Sequence, residues 1–517
     1  MTRILRPPGA VPPAVPPPLP SGFGVETDSL TRQLAPGLLF GGSPVRIFRL
    51  TPAGQAAWRE LQAGPVASRS AGALARQLTD AGLVHPQPPA LSSAPDVTVV
   101  IPVRDRAAMA ERCLAALGNR YPVVVVDDGS LDPLAVAQAA SRHGATLIRR
   151  DVNGGPGAAR NTALESVASD LVAFIDSDCV AAPGWIEQLA PHLADPLVAA
   201  VAPRITGLAP GTWAGRFTSA SGSLDLGSKA ARVLPRSQVS YVPAAAMLVR
   251  RAALLAAARD ARAPGVVPRK GRAGGRPREP APQVFDESMR IGEDVDLVWR
   301  LHEAGWRIRY DPAVQVAHHE PATWPALLAR RYRYGTSAAP LALRHPGAVT
   351  HLVLHPWSAA TVTALLARRP AAAAAWFGGS VLATYRILHR ANVPRQGTVR
   401  AMLGAARQTW LGIGRYGTQF AAPLLVAVIA APGGSSPGRR WGRRAAAASL
   451  LLGPPVTAWA AGPRTLDPAR FTLGRIADDI AYGLGVWSGC MSERTTAPMR
   501  PAIGWRRLRY DKDGTPR

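Results

Sequence analysis

The sequence predicts an α/β fold: a mostly parallel, Rossmann-like sheet with helices on both faces, joined to a small N-terminal winged-helix-like unit and an apolar helical C-terminal region. Two observations carry the central part. Between Val97 and Asp178, near-continuous Val/Ile/Leu runs (VTVVIP at 97–102, VVVVDDGS at 123–130, ATLIRR at 145–150, LVAFIDSD at 171–178) are separated by spacers of helical length. Strands covered on both faces read this way, whereas half-exposed strands alternate. Acidic residues then cluster at the ends of these runs, where open α/β sheets gather their chemistry. The flanks follow from length and texture, because 517 residues suffice for roughly two to four domains.

Residues 1–20, MTRILRPPGAVPPAVPPPLP, lack an apolar core of signal-peptide length and read as a disordered Pro-rich arm, which speaks against Sec-type export. In the small domain, residues 21–85, the runs Leu38–Phe40 and Val45–Leu50 around Gly41-Gly42-Ser43-Pro44 predict a hairpin. Thr51-Pro52 opens one helix, Ala71–Leu83 supplies a second, and a Pro-rich linker from His85 to Ser93 closes the unit. The α/β segment spans 97–335. It is interrupted at 258–283 by a mobile basic insertion holding Arg269, Lys270, Arg272, Arg276 and Arg278.

Between Glu320 and Asp467 there is no acidic residue, yet there are 17 arginines. Apolar runs at 349–367, 371–385, 420–431 and 445–461 lie among clusters such as Arg368-Arg369 and Arg439-Arg440. Each run is at or below the ~20 residues of a straight span. Region 345–490 is therefore expected to associate with a membrane through interfacial, re-entrant or crossing helices, the alternative being buried helices of a soluble domain. Residues 491–517 form a tail.

Lys+Arg number 60 against 34 Asp+Glu, for a formal charge of +26. Only Lys229, Lys270 and Lys512 of these bases are lysine, a bias that fits a GC-rich genome better than nucleic-acid binding, and no nucleic-acid-binding motif is present. The positive field still suits phosphates, sugar nucleotides and anionic lipid. Three dispersed cysteines, Cys113, Cys179 and Cys490, exclude a disulfide framework or a Cys-based zinc site and fit a reducing compartment.

Four acidic clusters fall at expected strand ends: Asp105, Asp127-Asp128, Asp176-Ser177-Asp178 and Glu293-Asp294. One such acid could be a helix cap; four together face one crevice. The pair Asp176 and Asp178 can put one carboxylate on a ribose and the other on a hard divalent cation that neutralises a diphosphate. Asn153–Asn161, with Gly154, Gly155 and Gly157 before Arg160, is a Gly-rich turn leading into a helix; it matches neither phosphate-loop pattern and serves equally as a tight loop.

The ordered set VTVVIPVRDR, VVVVDDGS, NGGPGAARNTAL, FIDSDCVAAPGWI, YVPAAAMLVRRAAL and FDESMRIGEDVDLVWRL resembles the family 2 glycosyltransferases over about residues 97–335. The resemblance implies a GT-A fold and an enzyme that uses a UDP-sugar. It implies uracil contact by Asp127 or Asp128, base and ribose contact by Asp105 and Asp176, and donor-nucleotide binding by Arg160. Asp178 would ligate Mg2+ or Mn2+, with His318 or His319 near the metal or diphosphate. Asp294 would be the general base with Glu293 beside it, consistent with inversion, which needs a carboxylate on the nucleophile and a cation on the leaving group. Arg330–Tyr334 resembles the Gln-Xaa-Xaa-Arg-Trp motif of processive members with Arg330 for Gln and Tyr334 for Trp, so Arg330, Arg333 and Tyr334 are the acceptor and diphosphate candidates. Trp299, Trp306 and Trp324 are candidates for a sugar platform, although the helical spacing of Trp299 places it in the core.

The small domain is similar to PqqD-like peptide-recognition elements, which add a leader peptide to a sheet edge, here beside Val45–Leu50. Joined to the rest, it resembles the mycofactocin-system glycosyltransferases. That implies glucose transfer from UDP-glucose to a ribosomal-peptide-derived acceptor, a β-1,4-oligoglucoside product and a place on the cytoplasmic face of the membrane. The competing expectation is a transferase acting on polyprenyl phosphate or a surface polysaccharide.

Overall fold

The computed structural model describes residues 12–13, 15–208, 211–260, 283–389, 395–432 and 436–504. The chain divides into two units, one of residues 1–208 and 223–319, the other of 209–222 and 320–517. The expected insertion at 258–283 falls almost wholly outside the described residues, as does the tail beyond 504.

The first unit begins with the small domain. Strand β1 (Gly24–Thr27) pairs antiparallel with β5 (Val84–Gln87), and β2 (Arg32–Ala35), β3 (Leu38–Gly41) and β4 (Arg46–Arg49) form an antiparallel sheet. The expected hairpin is β3–β4. Helix α1 (Pro52–Ala63) starts where the Thr51 hydroxyl accepts from the Gly54 N–H, and α2 (Arg69–Asp80) where Ser68 accepts from Ala71. Phe23, Leu39, Trp58, Leu61, Leu74, Leu78 and Leu83 close a core between strands and helices.

Two expectations need correction here. The first residues of the expected linker belong to β5, because Val84 and Pro86 are buried against β1. The Pro-rich arm is not free along its whole length either. Leu19 is buried, its N–H donates to the Gly72 carbonyl at 2.9 Å, and Arg76 Nε donates to the Pro17 carbonyl at 2.9 Å.

The second part of this unit is a sheet with strand order β10-β14-β11-β13-β9-β6-β7-β8, and β12 joins β14. The strands are β6 (Val97–Val103), β7 (Val123–Asp128), β8 (Thr146–Arg150), β9 (Leu171–Ile175), β10 (Cys179–Ala181), β11 (Val198–Leu208), β12 (Ala231–Val233), β13 (Ala246–Arg250) and β14 (Arg307–His319). Pairs β9–β6, β6–β7, β7–β8 and β11–β14 are parallel, whereas β13 and β10 run antiparallel to their neighbours. One face carries Val99, Ile101, Val125 and Ala173 against α3 (Ala107–Leu117), α4 (Pro133–Arg142) and α6 (Trp185–Leu189). The alternate residues, Val100, Val126, Val172 and Phe174, are equally buried and point to the other face. That side carries α5 (Pro156–Leu164), with Phe174 edge-on to Phe285 at 5.4 Å; α8 (Arg251–Asp260) and α9 (Glu293–Glu303) complete the unit. Burial on both faces is why the strand sequences showed no alternation. The result is a GT-A-like α/β fold with β6, β7 and β9 ending on one edge.

The second unit holds α7 (Trp213–Ser221), α10 (Trp324–Thr336), α11 (Ala338–Arg344), α12 (Pro356–Leu366), α13 (Pro370–His389), α14 (Arg395–Ala430), α15 (Pro437–Ala461) and α16 (Pro468–Ser492), with a two-residue parallel pair of β15 (Val353–Leu354) and β16 (Ala502–Ile503). Among the described residues, the stretch Gly397–Ala430 is long and apolar enough to cross a membrane by length and composition. It takes in the expected run at 420–431, extends well N-terminal of it, and breaks its helical geometry at Ala421, two residues before Pro423. Helices α10 and α16 are tied by Arg331 to Asp478 at 2.6 Å, and α14 and α16 by Arg415 to Asp479 at 3.1 Å.

A candidate active site at the carboxyl ends of the sheet

Adjacent acids at the end of β7 necessarily leave the sheet on opposite sides, and the β7–β8 register gives each an arginine. Asp127 lies opposite Arg149 and Asp128 opposite Arg150. On one side, Asp127 is fully buried, accepts from the Ser130 N–H at 2.9 Å and pairs with Arg149 Nη1. On the other, Asp128 accepts from Arg150 Nε at 2.9 Å and from the N–H groups of Gly154 and Gly155 at 2.9 and 2.7 Å. Asp128 is thus the strut that shapes the Gly-rich turn, and its oxygens are spent on protein. Arg149, by contrast, is partly exposed above Asp127.

Asp105 follows β6 in left-handed conformation (φ 55°), uncommon for a residue with a side chain. Its N–H donates to Ser130 Oγ at 2.9 Å, and its carboxylate accepts from the Leu131 N–H at 2.6 Å and meets Arg104 at 3.4 Å. The ends of β6 and β7 are thereby joined through Ser130.

At the end of β9 the two acids diverge. Asp176 turns to Arg160 Nη2 at 2.6 Å. Asp178 is mostly buried, pairs with Arg106, and has His318 Nε2 at 3.5 Å from its carboxylate. The histidine arrives because Cys179 on β10 lies opposite His318 on β14, and the His319 N–H donates to the Asp178 carbonyl at 2.9 Å. His319 is more open than His318; burial, with Arg112 nearby, holds its imidazole below the ordinary range.

Arg160 differs from expectation. Its side chain is buried beside the Phe285 ring (5.4 Å) and donates to Glu293 Oε1 at 2.8 Å as well as to Asp176. Through these two contacts it locks the start of α9 to the end of β9. Glu293 likewise turns inward, and burial, reinforced by the charge of Asp294, pushes its carboxyl up to about 7. Gly157 permits this packing, since a Cβ there would lie 3.2 Å from both Glu293 Cγ and Phe285 Cβ. Asp294 is left half-buried, its carboxylate fixed by the N–H groups of Ala244 at 3.1 Å and Val295 at 2.8 Å. A fixed, half-buried carboxylate at the first turn of α9 can accept a proton from a bound hydroxyl.

Arg330, Arg333 and Tyr334 lie on α10 of the second unit, where Arg330 pairs with Glu320 and Arg333 is exposed. Trp299 and Trp306 are buried, and Trp299 Nε1 donates to the Ser240 carbonyl at 2.7 Å, which removes both from a sugar platform. Trp324 is half-buried, 5.1 Å from Trp213 and 5.2 Å from Phe217. Sequence reasoning missed Arg106, Arg149 and Arg150, although two acids followed one strand later by two arginines was a readable sign.

A divalent cation is implied by the resemblance. Among the described residues no group of three or more His, Cys, Asp or Glu side chains could enclose one. The set Asp178 and His318 fits a cation whose other ligands are water and substrate phosphate, the usual manner for Mg2+ beside nucleotides. The three cysteines are free and buried.

Residues 98–255 match the family model described as glycosyl transferase family 2. The chain is 37% identical over 504 residues to the pre-mycofactocin glycosyltransferase of Mycobacterium tuberculosis, covering 94% of this chain and 98% of that protein. It is 33% identical over 106 residues to the glycosyltransferase AglE of Haloferax volcanii, covering 19% and 35%. Among solved structures, a mannosyltransferase from Pyrobaculum calidifontis in complex with GDP-Man and Mn2+ is 22% identical with a TM-score of 0.34, covering 62% of this chain and 87% of that one.

Proposed function

Because the chain belongs to glycosyl transferase family 2 and is a glycosyltransferase, we propose that it transfers glucose from UDP-glucose, with inversion, to a ribosomal-peptide-derived precursor in the mycofactocin pathway, building a β-1,4-oligoglucoside. The observation that carries this reading is the 37% identity to the pre-mycofactocin glycosyltransferase across 98% of its length, small domain and helical region included.

In this reading Asp294 takes the proton of the acceptor hydroxyl as its oxygen forms the bond to the anomeric carbon and the bond to UDP breaks. Fixation of the carboxylate by Ala244 and Val295 supports that role. Glu293 and Arg160 position α9 rather than touch substrate. Asp105, Asp176 and Asp127, with the partly exposed Arg149 beside it, receive the nucleoside. Asp178 and His318 or His319 would hold Mg2+ or Mn2+, which when bound neutralises the departing diphosphate. Arg106, more than half exposed beside Asp178, adds positive charge there. Arg330, Arg333 and Tyr334 serve the acceptor or diphosphate.

The small domain offers β4 as the edge of its sheet, with Val45 64% and Ile47 39% exposed, which supports strand addition by a leader peptide. Membrane association at the cytoplasmic face is supported by the apolar stretch Gly397–Ala430 and by Leu424 and Trp441, each 68% exposed. That stretch also favours the second reading, transfer to a polyprenyl phosphate.

The test is a mass-resolved assay with UDP-glucose, a divalent metal and the peptide-derived precursor, beside Asp294→Asn. A ladder of hexose additions absent in the variant is expected. UDP-glucose hydrolysis without addition, together with transfer to polyprenyl phosphate, would replace the first reading by the second.

A further inference from the structure

The face of the large sheet that receives the small domain holds more positive charge than its acids can match. Arg307 and Arg309 alternate onto one side of β14, Arg232 on β12 lies opposite Arg309, and α2 brings Arg76 and Asp80 four residues apart. Asp195, just before β11, completes the cluster. Both carboxylates are fully engaged. Asp195 takes Arg76 in a fork at 2.7 and 2.8 Å and also accepts from the Leu197 N–H. Asp80 takes Arg307 in a second fork at 2.9 and 2.7 Å and lies 3.5 Å from Arg232, whose Nη1 donates to the Asp80 carbonyl at 2.6 Å.

Arg309 is left over. It is 2% exposed, and none of its three guanidinium nitrogens has a hydrogen-bond partner among the described residues. The buried Nε of Arg232 and Nδ1 of His302 are unpartnered as well. His302 adds no negative charge to offset them, and burial together with Arg232 and Arg307 pushes it down to about 4. The four guanidinium groups of Arg76, Arg232, Arg307 and Arg309 thus share the two carboxylates of Asp80 and Asp195 in a largely buried cluster, where an unpaired cation is disfavoured.

We propose that a small tetrahedral oxyanion of the phosphate or sulfate class binds between α2 and the β12–β14 strands, accepting hydrogen bonds from Arg309 and Arg232 and tying the small domain to the large sheet. Guanidinium forks match the oxygens of such an anion, and the two acids already present leave about one dianion's worth of charge to be balanced. Nothing in this site takes part in sugar transfer, and its test does not depend on the donor or the acceptor.

The experiment follows thermal unfolding of the full chain in phosphate- and sulfate-free buffer, titrated with sodium phosphate or sodium sulfate at ionic strength held constant with sodium gluconate, for wild type and Arg309→Met. Wild type is expected to show a saturable rise, roughly 5 °C at a hundredfold excess over the dissociation constant. Arg309→Met should lose that rise while remaining at least as stable as wild type without anion, because the uncompensated charge is gone. An equal rise in both proteins would place the effect at another anion site and overturn the proposal. No rise in either would also overturn it. Should the variant fail to fold, ion chromatography of anion released on denaturing wild type desalted from phosphate decides: about one per chain supports the site, and none refutes it.

Discussion

Replacing Glu293 by Gln separates the two acids that share the start of α9. Glu293 is buried and accepts from Arg160 at 2.8 Å, and its carboxyl is pushed from an ordinary 4.5 up to about 7, first by burial and then by the charge of Asp294, with Arg160 opposing both. Below 4.5 the group is protonated in folded and unfolded chains alike. Between 4.5 and 7 the folded chain keeps a proton that the unfolded chain releases, so stability falls as pH rises through this window. A rise of this size corresponds to a few kcal/mol, most of which develops between pH 5 and pH 8. Glutamine keeps an oxygen for Arg160 and cannot ionise. Urea unfolding at both pH values should therefore show Glu293→Gln gaining a few kcal/mol on wild type from pH 5 to pH 8, with sugar transfer retained because Asp294 is untouched. Parallel pH dependence of the two proteins would mean that Glu293 is ionised throughout as an ordinary ion-pair partner. Loss of transfer to the level of Asp294→Asn would return Glu293 to the catalytic set.

Asp294→Asn should lower turnover by about 10²–10⁴-fold, the usual worth of a general base, with UDP affinity by calorimetry unchanged; near-normal turnover would remove the assignment. Asp178→Ala should weaken UDP binding in the presence of metal and flatten the metal titration of activity, whereas an unchanged titration would move the ligand elsewhere. Gly157→Leu, whose side chain would have to pass within 3.2 Å of Glu293 Cγ and Phe285 Cβ, should cost about 1–3 kcal/mol in urea unfolding; an unchanged stability would show that this side of α5 is not packed against α9. Ile47→Asp, on the exposed edge strand, should raise KM for the peptide-derived acceptor about tenfold, about 1.4 kcal/mol, with UDP-glucose hydrolysis unchanged. This point substitution is preferable to deleting residues 1–90, because Asp80 and Arg76 hold Arg307 and Asp195 of the large sheet, and their removal would expose buried charge.

The parallel strands, the hairpin, the helix start at Thr51 and the acids Asp105, Asp127-Asp128 and Asp176-Asp178 near strand ends were legible in the sequence, because each is set by local rules: burial on both faces, a side-chain oxygen before a helix, a polar residue where a strand stops; the second helix begins at Arg69 rather than Ala71, and Glu293-Asp294, expected at a strand end, open α9 instead. Membership of the family was legible for the same reason, since its motifs are short segments at fixed spacing. What the sequence left undecided were roles fixed by partners distant along the chain. Asp127 and Asp128 look equivalent, but the β7–β8 register sends one to Arg149 and the other to the backbone of the Gly-rich turn. Glu293 and Asp294 look like a catalytic pair, but Arg160, 133 residues from Glu293, draws that acid into the core and leaves Asp294 to the solvent side. The arginines around Asp80 read as composition until β12, β14 and α2 bring them together. A charged side chain's chemistry depends on which opposite charge lies within a few ångströms and how much water remains, and only the tertiary structure sets either.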